Sequence, residues 1–302
     1  MRAAVIERLG EPPRIAEVPD PDGDVLVEVE CVPLNPIDVA VGSGRHYSGS
    51  PETPFVPGAE AVGRRRDTGE RVWVHGRRTG GMAELVAAPE DALLAVPEGA
   101  DPALAGACGI AGMAGWLPVV WRAPVREGDR VLVLGATGTA GQFALQGAKL
   151  RGAARVVAAG RDPEGLERAL QLGADEAVRL DEPERLRELA PTYVYDPLWG
   201  EPLAVAAEAC ARRARIVHVG QSAGGEATLS SAAVRGKGLE LYGYSNFLVP
   251  PEVLGHEYRA LVEHVIRGEV TVDVERVPFE EVADAWSRQA AGRARRKLVL
   301  VL

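Results

Sequence analysis

An α/β fold in two domains, one of them built on a doubly wound parallel sheet, is what this 302-residue sequence predicts. Three observations carry that expectation. The first hundred residues alternate apolar and polar side chains between closely spaced prolines and glycines. Beyond residue 129, apolar runs of three to five residues alternate with helical patterns. Between the first such run and its helix lies a glycine-rich turn, Gly135 to Gly141.

In the N-terminal part the alternation is clearest at Val25, Val27, Val29 and Cys31 against Glu28 and Glu30, and again over 71–75 and 82–87. Pro12, Pro13, Pro19, Pro21, Pro33, Pro36, Pro51, Pro54 and Pro57 cut this region into short strands and loops, the texture of a small barrel or sandwich without helical periodicity. Residues 102–121 carry no charge over a length that could span a bilayer. Gly106, Gly109, Gly112 and Gly115 recur there at every third position and Pro118 follows, so a closely packed connector is expected and not a membrane span.

The apolar runs that follow are 130–134, 156–159, 193–195, 215–219 and 239–242. Helices are expected over 139–150 and 162–172, the second with Asp162 and Pro163 as cap and first-turn residues. Leu254, Tyr258, Leu261 and Val265 share one helix face, Phe279, Val282, Ala283 and Trp286 another, and Lys297 to Leu302 closes the chain as a strand.

Composition narrows the function classes. With 46% hydrophobic and 25% charged residues the chain has a normal globular balance, which excludes disorder. A net charge of −9, with no basic run longer than Arg64 to Arg66, argues against nucleic acid as a partner. Three cysteines, Cys31, Cys108 and Cys210, form no C-x-x-C pair and offer neither a disulfide framework nor a clustered zinc site, so a cytoplasmic location is expected. Glu7 interrupts the N-terminus before an apolar core can build, so no secretory signal is expected.

The segment Gly135-Ala136-Thr137-Gly138-Thr139-Ala140-Gly141 follows a strand and opens a helix. A dinucleotide pyrophosphate needs a tight turn, close backbone approach and free N–H groups at a helix N-terminus, and this segment can supply all three. Its spacing is G-x-x-G-x-x-G and not G-x-G-x-x-G, so a plain glycine-rich turn is the alternative, against which the flanking βαβ pattern stands. About 20 residues further on, where a site preferring NAD places an acid on the ribose hydroxyls, stand Gly160 and Arg161. A guanidinium there suits a 2′-phosphate, which favours NADPH. The alternative is a solvated Arg161, with Asp162 taking the ribose.

Several phrases together point to a family. They are Val32-Pro33-Leu34-Asn35-Pro36-Ile37-Asp38, Phe55-Val56-Pro57-Gly58-Ala59-Glu60, Arg126-Glu127-Gly128-Asp129-Arg130-Val131-Leu132-Val133, Leu172-Gly173-Ala174-Asp175, Val194-Tyr195-Asp196 with Gly200, and Lys297-Leu298-Val299-Leu300. In their order and spacing the chain resembles the medium-chain dehydrogenase/reductase superfamily, in its zinc-independent quinone oxidoreductase branch, over nearly its whole length. The resemblance implies a GroES-like β-domain, 1–112 with 247–302, and a Rossmann domain, 113–246, inserted into it. Zinc-dependent members carry a Cys where this chain has Asn35 and a G-H-E phrase where it has Gly58-Ala59-Glu60. Cys108 falls roughly where a third ligand would lie, and the family's four-cysteine lobe is absent, so no zinc is expected.

Without a Lewis acid, hydride transfer is easier to a conjugated acceptor, so a quinone or an activated alkene is the expected substrate. Enoyl or alkenal reduction, and NADPH binding without catalysis, are the alternatives. The resemblance places Tyr47 as proton donor or orienting hydroxyl, with His46 the neighbouring candidate, and Asn35 as a hydrogen-bonding contact to substrate or cofactor. Nicotinamide contacts fall on Val219, Gly220 and Gln221 and on Ser245, Asn246 and Phe247, with His218 read as a strand residue. Relatives pair the sheet edge equivalent to 239–244 across a two-fold axis, so a homodimer is expected.

Overall fold

Among the described residues, the chain's two outer segments contribute nine strands and four α-helices. The computed structural model describes residues 1–46, 49–77 and 79–302. The chain divides into two units, one formed by Met1–Ala111 with Pro251–Leu302 and the other by Gly112–Pro250. The sequence placed these breaks at 112/113 and 246/247.

The first unit holds strands β1 (Arg2–Val5), β2 (Arg14–Glu17), β3 (Val25–Pro33), β4 (Ala61–Arg65), β5 (Arg71–Val74), β6 (Leu85–Ala88) and β7 (Leu93–Ala95), with β14 (Val274–Pro278) and β15 (Lys297–Val301) from the C-terminal segment. Its helices are α1 (Pro36–Gly42), α2 (Pro102–Ala107), α9 (Pro251–Ile266) and α10 (Val282–Ala290). β1 and β2 form a hairpin, while β14-β15-β3-β4-β5-β7 make one sheet. The long β3 joins both ends of that sheet: its first residues pair with β6 and its last with β15, opposite the edge that takes β4. The inward Val25, Val27, Val29 and Val32 of this strand meet Val72, Val74, Leu298 and Leu300 in a core sealed by Phe279 and Trp286 of the C-terminal segment.

One helix here departs from the sequence expectation. Asn35-Pro36 reads as a turn, and no helix was expected in the first hundred residues, yet α1 begins at Pro36. Proline at a first helical position costs no hydrogen bond, and the Asn35 backbone N–H donates to Asp38 Oδ2 at 2.7 Å, so seven residues suffice.

The second unit holds α3 (Met113–Leu117), α4 (Thr139–Leu150), α5 (Pro163–Gln171), α6 (Pro183–Arg187), α7 (Gly200–Ala209) and α8 (Ser231–Lys237). Its strands are β8 (Arg130–Leu134), β9 (Arg155–Gly160), β10 (Glu176–Arg179), β11 (Tyr193–Asp196), β12 (Arg215–His218) and β13 (Glu240–Gly243). All lie parallel in the order β10-β9-β8-β11-β12-β13, so the chain order reverses between β8 and β11. Strands β8, β9 and β11 are buried runs of Val, Leu, Ala and Tyr, as a sheet covered on both faces requires. The sequence missed β10, whose four residues Glu-Ala-Val-Arg bury only Val178.

The stretch Pro102–Arg122 is long and apolar enough to cross a membrane by length and composition, and 72% of its most apolar window is buried inside the protein. Its glycines serve packing: a Cβ on Gly106 would lie 2.7 Å from Pro33 Cγ, and one on Gly115 would lie 2.1 Å from the Ala140 carbonyl oxygen.

Candidate functional site

Where β8 ends, Gly135 adopts φ +62°, a conformation that favours glycine, and its carbonyl accepts the Gly138 N–H at 3.0 Å. The Ala136 N–H donates to the Ala159 carbonyl at 3.0 Å, tying the turn to β9. α4 then opens at Thr139 behind Gly138, and no side chain caps it. Its first-turn N–H groups and dipole are thereby left for an anion. Gly141 lets the helix close over the turn, since a Cβ there would sit 2.4 Å from the Gly135 carbonyl oxygen.

At the end of β9 the structure supplies a reason for the missing acid. A Cβ on Gly160 would lie 2.5 Å from Thr137 Cγ2, and one on Gly165 would lie 2.7 Å from Thr137 Cβ. Thr137 is wedged between two glycines, and no carboxylate-bearing side chain fits at 160 without moving it. Arg161 is exposed, and among the described residues no acidic side chain pairs with it. Asp162 caps α5, its Oδ2 accepting the Gly165 N–H at 3.0 Å. A ribose contact through Asp162 would compete with that cap.

The remaining cofactor candidates lie at the same carboxyl end of the sheet. Val219 N–H donates to the Asp196 carbonyl at 2.8 Å, leading β12 into Gly220 and the exposed Gln221. After β13, Ser245 Oγ accepts the Phe247 N–H at 3.4 Å, Tyr244 donates to Asn246 Oδ1 at 2.6 Å, and Phe247 is 45% exposed. The turn after β8, the loops after β11 and β12 and the turn after β13 thus share one edge. Brought with them is an Asp196–His218 contact that the sequence reading missed; the two residues are 22 apart and meet only because β11 and β12 are neighbours.

Tyr47 lies outside the described residues. Asn35 is 1% exposed, and its side chain is engaged within the protein on both sides. Nδ2 donates to Glu60 Oε1 at 2.7 Å and to the Pro33 carbonyl at 3.1 Å, and Oδ1 accepts from Lys297 Nζ at 2.6 Å. The Asn35 side chain, expected from the sequence to contact substrate or cofactor, joins a carboxylate to an ammonium within the protein. Lys297 Nζ also donates to the Leu34 carbonyl at 3.0 Å. Glu60 Oε2 accepts from Trp73 Nε1 at 2.7 Å and from the Ile110 N–H at 2.8 Å. Asp38, also fully buried, accepts the N–H groups of Asn35 and Ala59.

Burial raises the Asp38 carboxyl to about 7 despite those two donors, raises Glu60 in the same direction, and lowers Lys297. Folded Asp38 holds its proton where the unfolded chain releases it near 3.9, so the native state binds more protons across that window. The Asp38 contribution to stability accordingly falls as pH rises from about 4 to about 7. Urea unfolding of wild type and Asp38→Asn at pH 4.5, 6 and 7.5 checks this: the wild-type contribution declines with pH, and the substitution flattens that decline.

A parallel sheet reversing at β8/β11, with an uncapped glycine-rich helix start at the reversal, defines a Rossmann-type dinucleotide-binding unit. Comparison with known proteins agrees. Residues 21–98 match the alcohol dehydrogenase GroES-like domain family, and residues 140–265 match the zinc-binding dehydrogenase family. The quinone oxidoreductase of Thermus thermophilus, solved alone and with NADPH, is 31% identical with a TM-score of 0.87, each chain covered in full. A quinone oxidoreductase of Sus scrofa is 34% identical over 164 residues, 51% of this chain and 49% of that protein. A trans-enoyl reductase of Aspergillus terreus is 29% identical over 206 residues, 59% of this chain and 56% of its own. The matched region thus spans about half the length of these curated relatives. The chain belongs to the medium-chain dehydrogenase/reductase superfamily, in its quinone oxidoreductase branch.

Proposed function

We propose that the protein is a zinc-independent reductase that uses NADPH to reduce a quinone or a similar activated conjugated acceptor. The observation that carries the cofactor choice is the end of β9: Thr137 fills the space where a carboxylate would stand, and exposed Arg161 follows. Gly135, Thr137, Gly138, Thr139, Ala140 and Gly141 hold the pyrophosphate, Gly160 and Arg161 the phosphorylated ribose, and Val219, Gly220, Gln221, Ser245, Asn246 and Phe247 the nicotinamide half. When bound, the reduced nicotinamide supplies a hydride. Tyr47 supplies or orients the proton, and a Tyr47→Phe change in kcat/KM below about twofold would remove it from that role.

The buried node does not fit a zinc ion. Both Glu60 oxygens already accept N–H donors, Asn35 stands in place of a thiolate, and the Lys297 ammonium supplies the node's positive charge. Cys31 and Cys108 both feel the Glu60 charge, and burial holds both thiols protonated. No step of the reduction is therefore routed through a metal.

Arg161→Ala is expected to lower the preference for NADPH over NADH by about tenfold to a hundredfold, the worth of one charge-assisted hydrogen bond, read from the two dissociation constants. The function itself is tested by NADPH oxidation against a panel of quinones, enals and aldehydes with metal content measured on the same sample. Quinone turnover without zinc supports the reading. Reduction of C=C bonds alone favours the enoyl reductase alternative, to which the Aspergillus relative lends weight. Tight NADPH binding with no turnover makes the protein a cofactor-binding protein without catalysis.

A homodimer through β13 is part of the same proposal. β13 is an edge strand, and Leu241, Phe247 and Leu248 are 50%, 45% and 82% exposed along and just beyond it. The three buried free cysteines suit a reducing cytoplasm.

A further inference from the structure

Arg77 stands in the loop between β5 and β6 and is half-buried. Its Nε donates to the Thr79 carbonyl at 3.1 Å and its Nη1 to the carbonyl of Ala87 on β6 at 2.5 Å, so main-chain atoms fix the plane of the guanidinium. The loop beyond is tied down as well: the N–H groups of Gly80, Gly81 and Met82 donate to the carbonyls of Val56, Gly58 and Pro57 at 2.8, 2.9 and 2.9 Å. Gly80 adopts φ +93°, and a Cβ on it would lie 2.7 Å from Arg77 Nη2, so the guanidinium rests over a glycine where a side chain would push it away.

What this guanidinium lacks is an acid. Arg65, Arg71 and Arg288, also partly buried, each hold a carboxylate that raises their pKa. At Arg77 burial lowers the pKa with no charged neighbour to offset it, and among the described residues no acidic side chain pairs with it. In a chain with 43 acidic and 34 basic residues an acid is the commoner charged neighbour, and a partly desolvated cation without one is costly. Two of the five guanidinium N–H groups are used. The three that remain leave from Nη1 and Nη2, the forked end that meets a carboxylate or phosphate with two parallel bonds, and Nη2 has no partner and is open to solvent. A fork already held by main-chain carbonyls loses little further freedom on binding. We propose that Arg77 anchors an oxyanion site on the first unit, taking the carboxylate or phosphate group of a small molecule. That group arrives either on the acceptor to be reduced or as a free anion; the first source rests on the reductase reading above.

Two arms test it. Unfolding midpoints across an inorganic phosphate series at constant ionic strength give an apparent dissociation constant without turnover. Arg77→Ala is expected to raise it at least tenfold, the worth of one charge-assisted hydrogen bond. Arg77→Gln moves in the same direction and serves where the alanine variant does not fold. Phosphate also stabilises folded proteins by exclusion, so the reference is Arg259→Ala, which removes an exposed arginine without an acidic partner among the described residues and stays with wild type. The second arm is NADPH oxidation with two naphthoquinones that differ only in a side-chain carboxylate. A fall of about tenfold in the ratio of kcat/KM, carboxylated over neutral, in Arg77→Ala assigns the site to the acceptor. An unchanged ratio with the phosphate response lost assigns it to a free oxyanion. The proposal is overturned if phosphate stabilises wild type no more than Arg77→Ala and the ratio does not move. A wild type that oxidises NADPH with neither quinone removes the quinone reading, and the phosphate arm then decides the oxyanion site alone.

Discussion

Gly141→Val is expected to weaken NADPH binding at least a hundredfold and to destabilise the fold by about 1–3 kcal/mol. A Cβ at this position meets the Gly135 carbonyl oxygen at 2.4 Å, the Ala136 Cα at 2.8 Å and the Gly135 carbonyl carbon at 2.9 Å. All three are backbone atoms and cannot rotate away. The Gly135 oxygen also accepts from Gly138, and Gly135 itself sits at φ +62°, so relief of the clash must open the turn that presents the N–H groups of α4. Gly236→Ala is the control: it lies within α8, a Cβ there meets nothing within 4 Å, and a gain of about 0.5–1 kcal/mol is expected. Fluorescence titration with NADPH and urea unfolding of both variants check the pair. NADPH affinity of Gly141→Val within threefold of wild type would separate the glycine turn from cofactor binding.

Lys297→Met carries the largest expected stability loss, about 3–5 kcal/mol, because it removes the cation from a buried group that contains two carboxyls. Lys297 is 4% exposed, and its ammonium bonds the Leu34 carbonyl and Asn35 Oδ1, while Asn35 in turn holds Glu60. With the cation gone, Asp38 and Glu60 are favoured in their protonated forms more strongly than before. The difference between variant and wild type should therefore shrink as pH falls from 8 to 5, since acid supplies the neutralisation that the lysine no longer does. Urea midpoints at both pH values measure this. A variant equally destabilised at both would mean that lost packing of the lysine stem, not charge, sets the effect.

What could be read from the sequence divides by range. The run from β8 through the turn into α4 was legible to the residue because strand, turn and helix signals are all local. The Asp162 and Pro163 start of α5 was legible for the same reason. β10 was not, because a half-exposed strand of four mixed residues has no period to detect. The contacts of Asn35 were not legible because its partner Lys297 lies 262 residues away, and nothing near either residue announces the other. Asp196 was visible only as part of a family phrase, and the histidine it holds looked like any strand residue until parallel pairing set the two side by side.

The wedging of Thr137 between Gly160 and Gly165 also constrains how this chain could change its cofactor by substitution. Introducing an acid at 160 alone would collide with Thr137 before it could reach a ribose, so such a variant loses the old preference without acquiring a new one. An acid at 160 therefore needs a smaller residue at 137 as well. In the proposed NADPH site the two positions are coupled, and a shift of preference toward NADH needs both changes.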